Sequence, residues 1–149
     1  MRGRARRRRV PYYARMTTNP PVRTGLDRLV SGDAGAHLKG AAAGLIMHPA
    51  SVTADLVPSV DALLAAGFHL RSLFGPQHGA RGEKQDNMIE SEHYADPRTG
   101  LPVHSLYSEV RKPTPDMMEG LDVLFYDLQD VGVRVYTFQW TLALAMEAC

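Results

Sequence analysis

The chain has 149 residues, 44% hydrophobic and 22% charged, the balance of an ordinary soluble globular protein with enough length to bury a core. Its formal net charge of +1 conceals a split: residues 1–15 hold seven arginines (Arg2, Arg4, Arg6, Arg7, Arg8, Arg9 and Arg15) and no acid, leaving 10 basic against 16 acidic residues beyond them. An acidic folded part argues against general attraction to nucleic acid, and no apolar run reaches the roughly 18 residues of a membrane span or the shorter run of an export signal.

Residues 1–23 read as a disordered, Arg-rich leader. The plain account is upstream sequence ahead of a true start at Met16; the alternative is a segment that binds RNA or an anionic membrane. Residues 24–149 read as one domain. Leu26, Leu29 and Val30 predict a short helix over 25–30. The continuous apolar run Ala41 to Met47, ended by His48-Pro49, predicts a strand buried on both faces, as in a parallel sheet. An amphipathic helix follows over 55–66 with Gly67 at its end, then a second strand over 68–74. The stretch from Gly75 to Pro102 lacks periodicity and reads as a long loop, of the kind that usually carries function.

Val103 to Tyr107 predicts a short edge strand, and Thr114-Pro115-Asp116 a helix start that runs to Gly120. Leu121 to Leu128 is the third and strongest strand. A closing helix spans Thr137 to Cys149, with no cap or glycine to end it, the pattern of a domain cut before completion. Cys149 is the single cysteine, so no internal disulfide forms. Alternating strands and helices imply right-handed crossovers and an α/β fold: a Rossmann-like parallel sheet with flanking helices.

In such a sheet ligands collect at the carboxyl ends of the strands. The first end is His48-Pro49-Ala50-Ser51. The second is Gly75-Pro76-Gln77-His78-Gly79-Ala80-Arg81-Gly82-Glu83, and the third runs from Asp127 through Gln129, Asp130 and Arg134 to Tyr136. The glycines at 75, 79 and 82 fit neither a dinucleotide fingerprint nor a P-loop. A carboxylate leaving a buried strand can serve as general acid or base, which favours Asp127 and Asp130; Asp130 can equally cap the next turn or pair with Arg134. Tyr136 and Trp140 offer a sugar-stacking surface, though core packing is the stronger reading of Trp140. No pair among His48, His78, Glu83, Asp127 and Asp130 shows a recognised metal-ligand spacing, and neither metal nor cofactor is expected. His37, His69, His93 and His104 read as bystanders.

The wording of these loops resembles one family in order and spacing: Phe74-Gly-Pro-Gln-His-Gly-Ala-Arg-Gly82, Thr99-Gly-Leu-Pro-Val-His-Ser-Leu-Tyr107, Lys112-Pro-Thr-Pro-Asp-Met117, Asp127-Leu-Gln-Asp-Val-Gly-Val-Arg-Val-Tyr-Thr137 and Ala145-Met-Glu-Ala148. It is the exo-β-N-acetylmuramidase family, NamZ or YbbC-like, and the resemblance runs from about residue 40 to the end. It implies a glycoside hydrolase that removes terminal N-acetylmuramic acid from the non-reducing end of peptidoglycan fragments, in the turnover and recycling of cell wall. It also implies a Rossmann-like N-terminal domain paired with a smaller C-terminal one that this chain lacks, with the site in the cleft between them.

The family reads Pro-Glu-His-Gly where this chain has Pro76-Gln77-His78-Gly79. An amide does not titrate, so Gln77 cannot replace a catalytic acid. Either a neighbour such as Glu83 or Glu90 takes the role, or this branch is a silent muramyl-sugar binder; a metal-dependent hydrolase is a further alternative. Glycosidases generally need two carboxyl groups. The candidates here are Glu83, Asp127 and Asp130, with His48, Gln77, His78, Arg81, Gln129, Arg134 and Tyr136 positioning substrate. Arg81 or Arg134 would pair with the lactyl carboxylate of muramic acid. The expected partners are a muramyl sugar and the missing C-terminal domain, and the expected compartment is the cytoplasm, with the periplasm or secretion the alternative if the true start differs.

Overall fold

The computed structural model describes residues 22–82, 92–133 and 137–149. Glu83, Glu90, Arg134 and Tyr136, with the leader up to residue 21, lie outside the described residues.

Helix α1 (Gly25–Val30) opens with a capping box. Thr24 accepts from the Asp27 backbone N–H at 3.1 Å, and the Asp27 carboxylate accepts from the Thr24 N–H at 2.9 Å. Arg23 pairs with Asp33 and donates to Ser31 Oγ at 2.6 Å, so ordered side-chain contacts begin ahead of the helix. A single 3-10 turn, Ala36–Leu38, leads to strand β1 (Ala42–Met47). Helix α2 (Ser59–Ala65) follows, then β2 (His69–Gly75), β3 (Tyr94–Ala95), β4 (Pro102–Ser105), helix α3 (Pro115–Met118), β5 (Val123–Asp127) and helix α4 (Phe138–Ala148).

The strands form one sheet in the order β3-β4-β2-β1-β5. Four pair in parallel, and β3 runs antiparallel to β4 at the far edge. The expected edge strand at 103–107 is therefore β4, an inner strand. A two-residue strand from the expected loop covers its outer side, too short to show any hydrophobic pattern. Helix α2 begins four residues later than expected. Pro58 occupies its N-cap, and Val52 bridges to Pro58, so residues 52–58 form a tight excursion. Gly67, at φ +83, ends α2 in the left-handed conformation that glycine adopts without strain.

Both faces of the sheet are covered. Ala43, Leu45 and Met47 of β1 pack with Leu26 of α1 and Val60 and Leu63 of α2 on one side. On the other, Ile46 packs with Phe74, Leu106, Leu128, and Phe138 and Ala145 of α4, with Met117 and Met118 of α3 alongside. Central β1 thus alternates its side chains into two cores, which is why its sequence is apolar without a break.

Gly44 is the exception in that strand. A Cβ there would meet Leu124 and Phe74 at 2.8 Å and Leu121 at 2.9 Å. Three side chains must give way at once in a close-packed layer, so Gly44→Ala is expected to lose about 1–3 kcal/mol despite its milder backbone entropy. The urea unfolding midpoint checks this; an unchanged midpoint would mean the layer is loose.

Candidate functional site

The chain leaves β1 toward β2 on one side, while β5 lies on the other side of β1. A crevice opens where neighbouring connections diverge in this way, outside the carboxyl ends of the two strands. Met47 and Asp127 stand opposite each other in the β1–β5 register and mark it.

Ser51 joins the two strand ends. Its hydroxyl accepts from the His48 backbone N–H at 2.9 Å and donates to the Asp127 backbone carbonyl. Ser51 is 1% exposed, and its carbonyl accepts from the Ser59 N–H at 2.8 Å, tying the start of α2 to the same point. One small buried hydroxyl thereby sets where His48, Asp127 and Ser59 sit.

Asp127 is the chemically distinctive group. Burial raises its carboxyl above the ordinary aspartate value, and the Ser59 hydroxyl beside it is the one group that offsets this. Oδ1 accepts from Gln129 Nε2 at 3.3 Å. Among the described residues, neither Asp127 Oδ2 nor Ser59 Oγ has a hydrogen-bond partner of normal geometry, although both are buried. A carboxyl in this setting holds its proton more readily than a solvated one. Its Oδ2 is an unpaired buried polar atom of the kind that calls for an explanation.

His48 faces the same crevice. Burial and the nearby charge of His78 both lower its pKa, so the imidazole is neutral at pH 7. Its Nδ1 accepts from the Ala50 N–H at 3.3 Å, and its ring meets the Phe138 ring edge-on at 5.3 Å. The second strand end folds back over β2. A Cβ on Gly75 would lie 2.7 Å from the Ala80 nitrogen, so only glycine admits this turn. His78 adopts φ +74, a left-handed conformation that costs a non-glycine residue about 1–3 kcal/mol and tends to persist at functional sites. The same loop rests on the first, with Pro49 Cγ only 2.8 Å from where a Gly82 Cβ would be. Met47, His48, Ser51, Pro58, Ala80 and Arg81, with Pro49, line a cavity of about 180 Å³ between these two loops.

The structure brings together His48, Gln77, His78 and Asp127, and adds Ser51, Ser59 and Thr137. Gln77 Oε1 accepts from Thr137 Oγ1 at 3.3 Å, tethering the second loop to the start of α4. Two expected residues have other engagements. Asp130 accepts from the Gly132 N–H at 2.7 Å and from Gln139 Nε2 at 3.3 Å, the turn-capping arrangement. Arg81 donates from Nε and NH2 to Asp96 at 2.6 and 2.8 Å, and Asp96 also accepts from the Thr99 hydroxyl and N–H at 2.6 and 3.0 Å.

Asp96 and Thr99 were not foreseen as site residues. Asp96-Pro-Arg-Thr-Gly carries a turn signal, but its partner lies 15 positions upstream. Trp140, expected to pack in the core, is 71% exposed on α4. His93 and His104 are less idle than expected: their rings meet at 5.6 Å, and His93 Nδ1 accepts from the Ser105 N–H at 3.0 Å. Among the described residues no group of three or more His, Cys, Asp and Glu side chains could hold a metal, and no helix is long and apolar enough to cross a membrane.

Three comparisons agree with this architecture. The chain is 48% identical over 130 residues to the peptidoglycan beta-N-acetylmuramidase NamZ of Bacillus subtilis (strain 168), a match covering 87% of this chain and 31% of that protein. Two crystal structures of DUF1343 family proteins from Bacteroides fragilis NCTC 9343 superpose with TM-scores of 0.72 and 0.64, at 42% and 30% identity. They cover 85% and 84% of this chain but only 31% and 30% of theirs, so the chain spans about a third of the length of the relatives it matches. The family described as exo-beta-N-acetylmuramidase NamZ, N-terminal, matches residues 43–149. With a family match over most of its length, the strand-end site and the shared fold, the chain belongs to the exo-beta-N-acetylmuramidase NamZ family, within its N-terminal region.

Proposed function

We propose that the complete protein is a glycoside hydrolase that releases terminal N-acetylmuramic acid from the non-reducing end of peptidoglycan fragments, with Asp127 as its proton donor. The observation that carries this is the Asp127 carboxyl at the end of β5, raised by burial and with a buried oxygen that has no partner among the described residues. A carboxyl that keeps its proton more readily than a solvated one suits donation to the departing glycosidic oxygen. The second carboxyl group comes from Glu83 or Asp130. Asp130 is the weaker candidate, because one of its oxygens is bound to the turn. The spacing of the pair decides the outcome: about 5–5.5 Å for retention, about 6.5–9.5 Å for inversion. Neutral His48 and the Gln77 amide position substrate hydroxyl and acetamido groups, with His78 and Gln129 beside them. Arg81 has two of its donors on a buried carboxylate, so Arg134 takes the lactyl carboxylate, with Tyr136 as a neighbouring contact. The remainder of the protein closes the cleft.

A second reading has its own support. By the family resemblance Gln77 takes the place of a glutamate, and its amide oxygen accepts from Thr137. A silent muramyl-sugar binder would keep the crevice and lose turnover. The complete protein is to be assayed on a chromogenic N-acetylmuramic acid glycoside beside its Gln77→Glu variant. Turnover by the unmodified protein, equalled or exceeded by the variant, is the expected result. No turnover by either, with sugar binding intact, would replace the hydrolase with the binder.

A further inference from the structure

Strand β3 is two residues long, and a side chain continues its ladder to β4. Tyr94 stands opposite Val103 and Ala95 opposite Pro102, and the Asp96 N–H donates to the Leu101 carbonyl at 2.8 Å. In an antiparallel pair every second residue turns its N–H to the neighbour, so the next outward donor of β4 belongs to Ser105. The register with β3 ends before Ser105, which is buried. There the His93 imidazole takes over: its Nδ1 accepts from the Ser105 N–H at 3.0 Å. A titratable group thus supplies the last acceptor of the sheet edge.

That bond exists only while Nδ1 carries no proton. An imidazole gains one between about pH 5 and 8, and an imidazolium would set N–H against N–H at this point. His104 of β4 faces His93, with ring centres 5.6 Å apart, and lies against the Phe74 ring of β2 at 5.2 Å. Burial first, and then the charge of His93, lowers the pKa of His104, so exposed His93 is the ring placed to take the proton. Glu92 and Glu109, both exposed, line a cavity of about 590 Å³ with His93, together with uncharged Ser108, Thr114 and Met117 of α3. The two carboxylates favour the cation, and a phenol such as that of Tyr94 on β3 adds no charge in this range. The other fastening of the β2–β3 connection, Arg81 to Asp96, does not respond there, because the Asp96 pKa is held down to about 2. We propose that His93 is a pH-sensitive latch: neutral, it fastens the end of the β2–β3 connection to β4; protonated, it lets go, and the wall of the cavity shifts with it. The latch stands independently of the muramidase reading.

Amide hydrogen exchange on the complete protein, resolved to Ser105 and corrected for the intrinsic effect of pH, tests this. Protection of Ser105 should fall about ten-fold between pH 8 and pH 5. Leu106 serves as the control, because its N–H donates to the Gly75 carbonyl at 2.8 Å on the other side of β4 and should stay protected. His93→Ala should show the low value at both pH values. His93→Asn, whose amide oxygen can accept the same N–H without titrating, should stay protected at both. His93 is exposed, so both variants are compatible with folding. Equal protection of Ser105 at pH 5 and pH 8 in the unmodified protein would overturn the latch. So would a pH response that persists in His93→Asn, which would place the titrating group at His104, Glu92 or Glu109 instead.

Discussion

Asp127→Asn is expected to cut turnover of a muramyl disaccharide by the complete protein by about two to four orders of magnitude, while making the fold more stable at neutral pH. Both effects have one origin. The carboxyl is raised by burial, and its Oδ2 has no hydrogen-bond partner among the described residues. Ionising it in the folded state therefore costs more than ionising it in the unfolded chain. A group with a raised folded-state pKa contributes its full stability below its unfolded value, here 3.8, and loses it as the pH rises through the folded value. Asparagine carries no such dependence. The stability gap between variant and unmodified protein should vanish below about pH 4 and open as the pH rises.

The kinetic signature is equally specific. Loss of a proton donor hurts a poor leaving group most, so an activated aryl glycoside should retain far more kcat/KM than the disaccharide, and the alkaline limb of the pH profile should disappear. Unfolding midpoints between pH 3 and 8 and kcat/KM on the two substrates are the measurements. Equal losses on both substrates would remove Asp127 from the acid role. A flat stability difference across pH would mean that burial does not raise the carboxyl.

Much of this arrangement is legible in the amino-acid order, for a physical reason. A parallel strand buried on both faces has to be apolar throughout, so β1 and the start of β5 announce themselves, and the residues just past them are ligand-facing by topology. His48, Gln77, His78 and Asp127 follow from that rule alone. What stays hidden is whatever depends on partners distant in sequence. Ser51 reads as loop filler until the carbonyl it binds, 76 positions on, is known. Asp127 and Asp130 look alike as carboxylates, yet one is half-buried beside Ser59 and the other caps a turn two residues ahead. Trp140 shows the opposite failure. Large aromatics usually bury, but helix α4 already places Phe138, Thr141 and Ala145 against the sheet, and Trp140 falls on another face. Strand β3 was unreadable because two residues carry no periodicity; it exists through pairing with Val103 and Pro102.

Asp96→Ala should be the most damaging single change outside the crevice, at about 3 kcal/mol of stability, the lower end for a broken buried pair because the Arg81 side chain keeps 21% of its surface exposed. The Asp96 side chain is fully enclosed. It receives two donors from Arg81 and two from Thr99, and Arg81 above all holds its pKa down to about 2. A depressed folded-state pKa contributes stability above the unfolded value of 3.8 that is lost as the pH falls toward 2. The advantage of the unmodified protein should therefore shrink over that interval. Asp96 also bears on function at one remove, since Arg81 lies in the loop that carries Gln77 and strained His78. Releasing it should raise KM for the muramyl substrate more than it lowers kcat, because Asp127 stands on a different strand. The decisive comparison is the Arg81→Ala/Asp96→Ala double variant. Most of the loss in Asp96→Ala comes from a cation left without its carboxylate, so removing that cation should restore part of the stability. A double variant as unstable as the sum of the two single variants would mean that the ion pair is not what holds the loop.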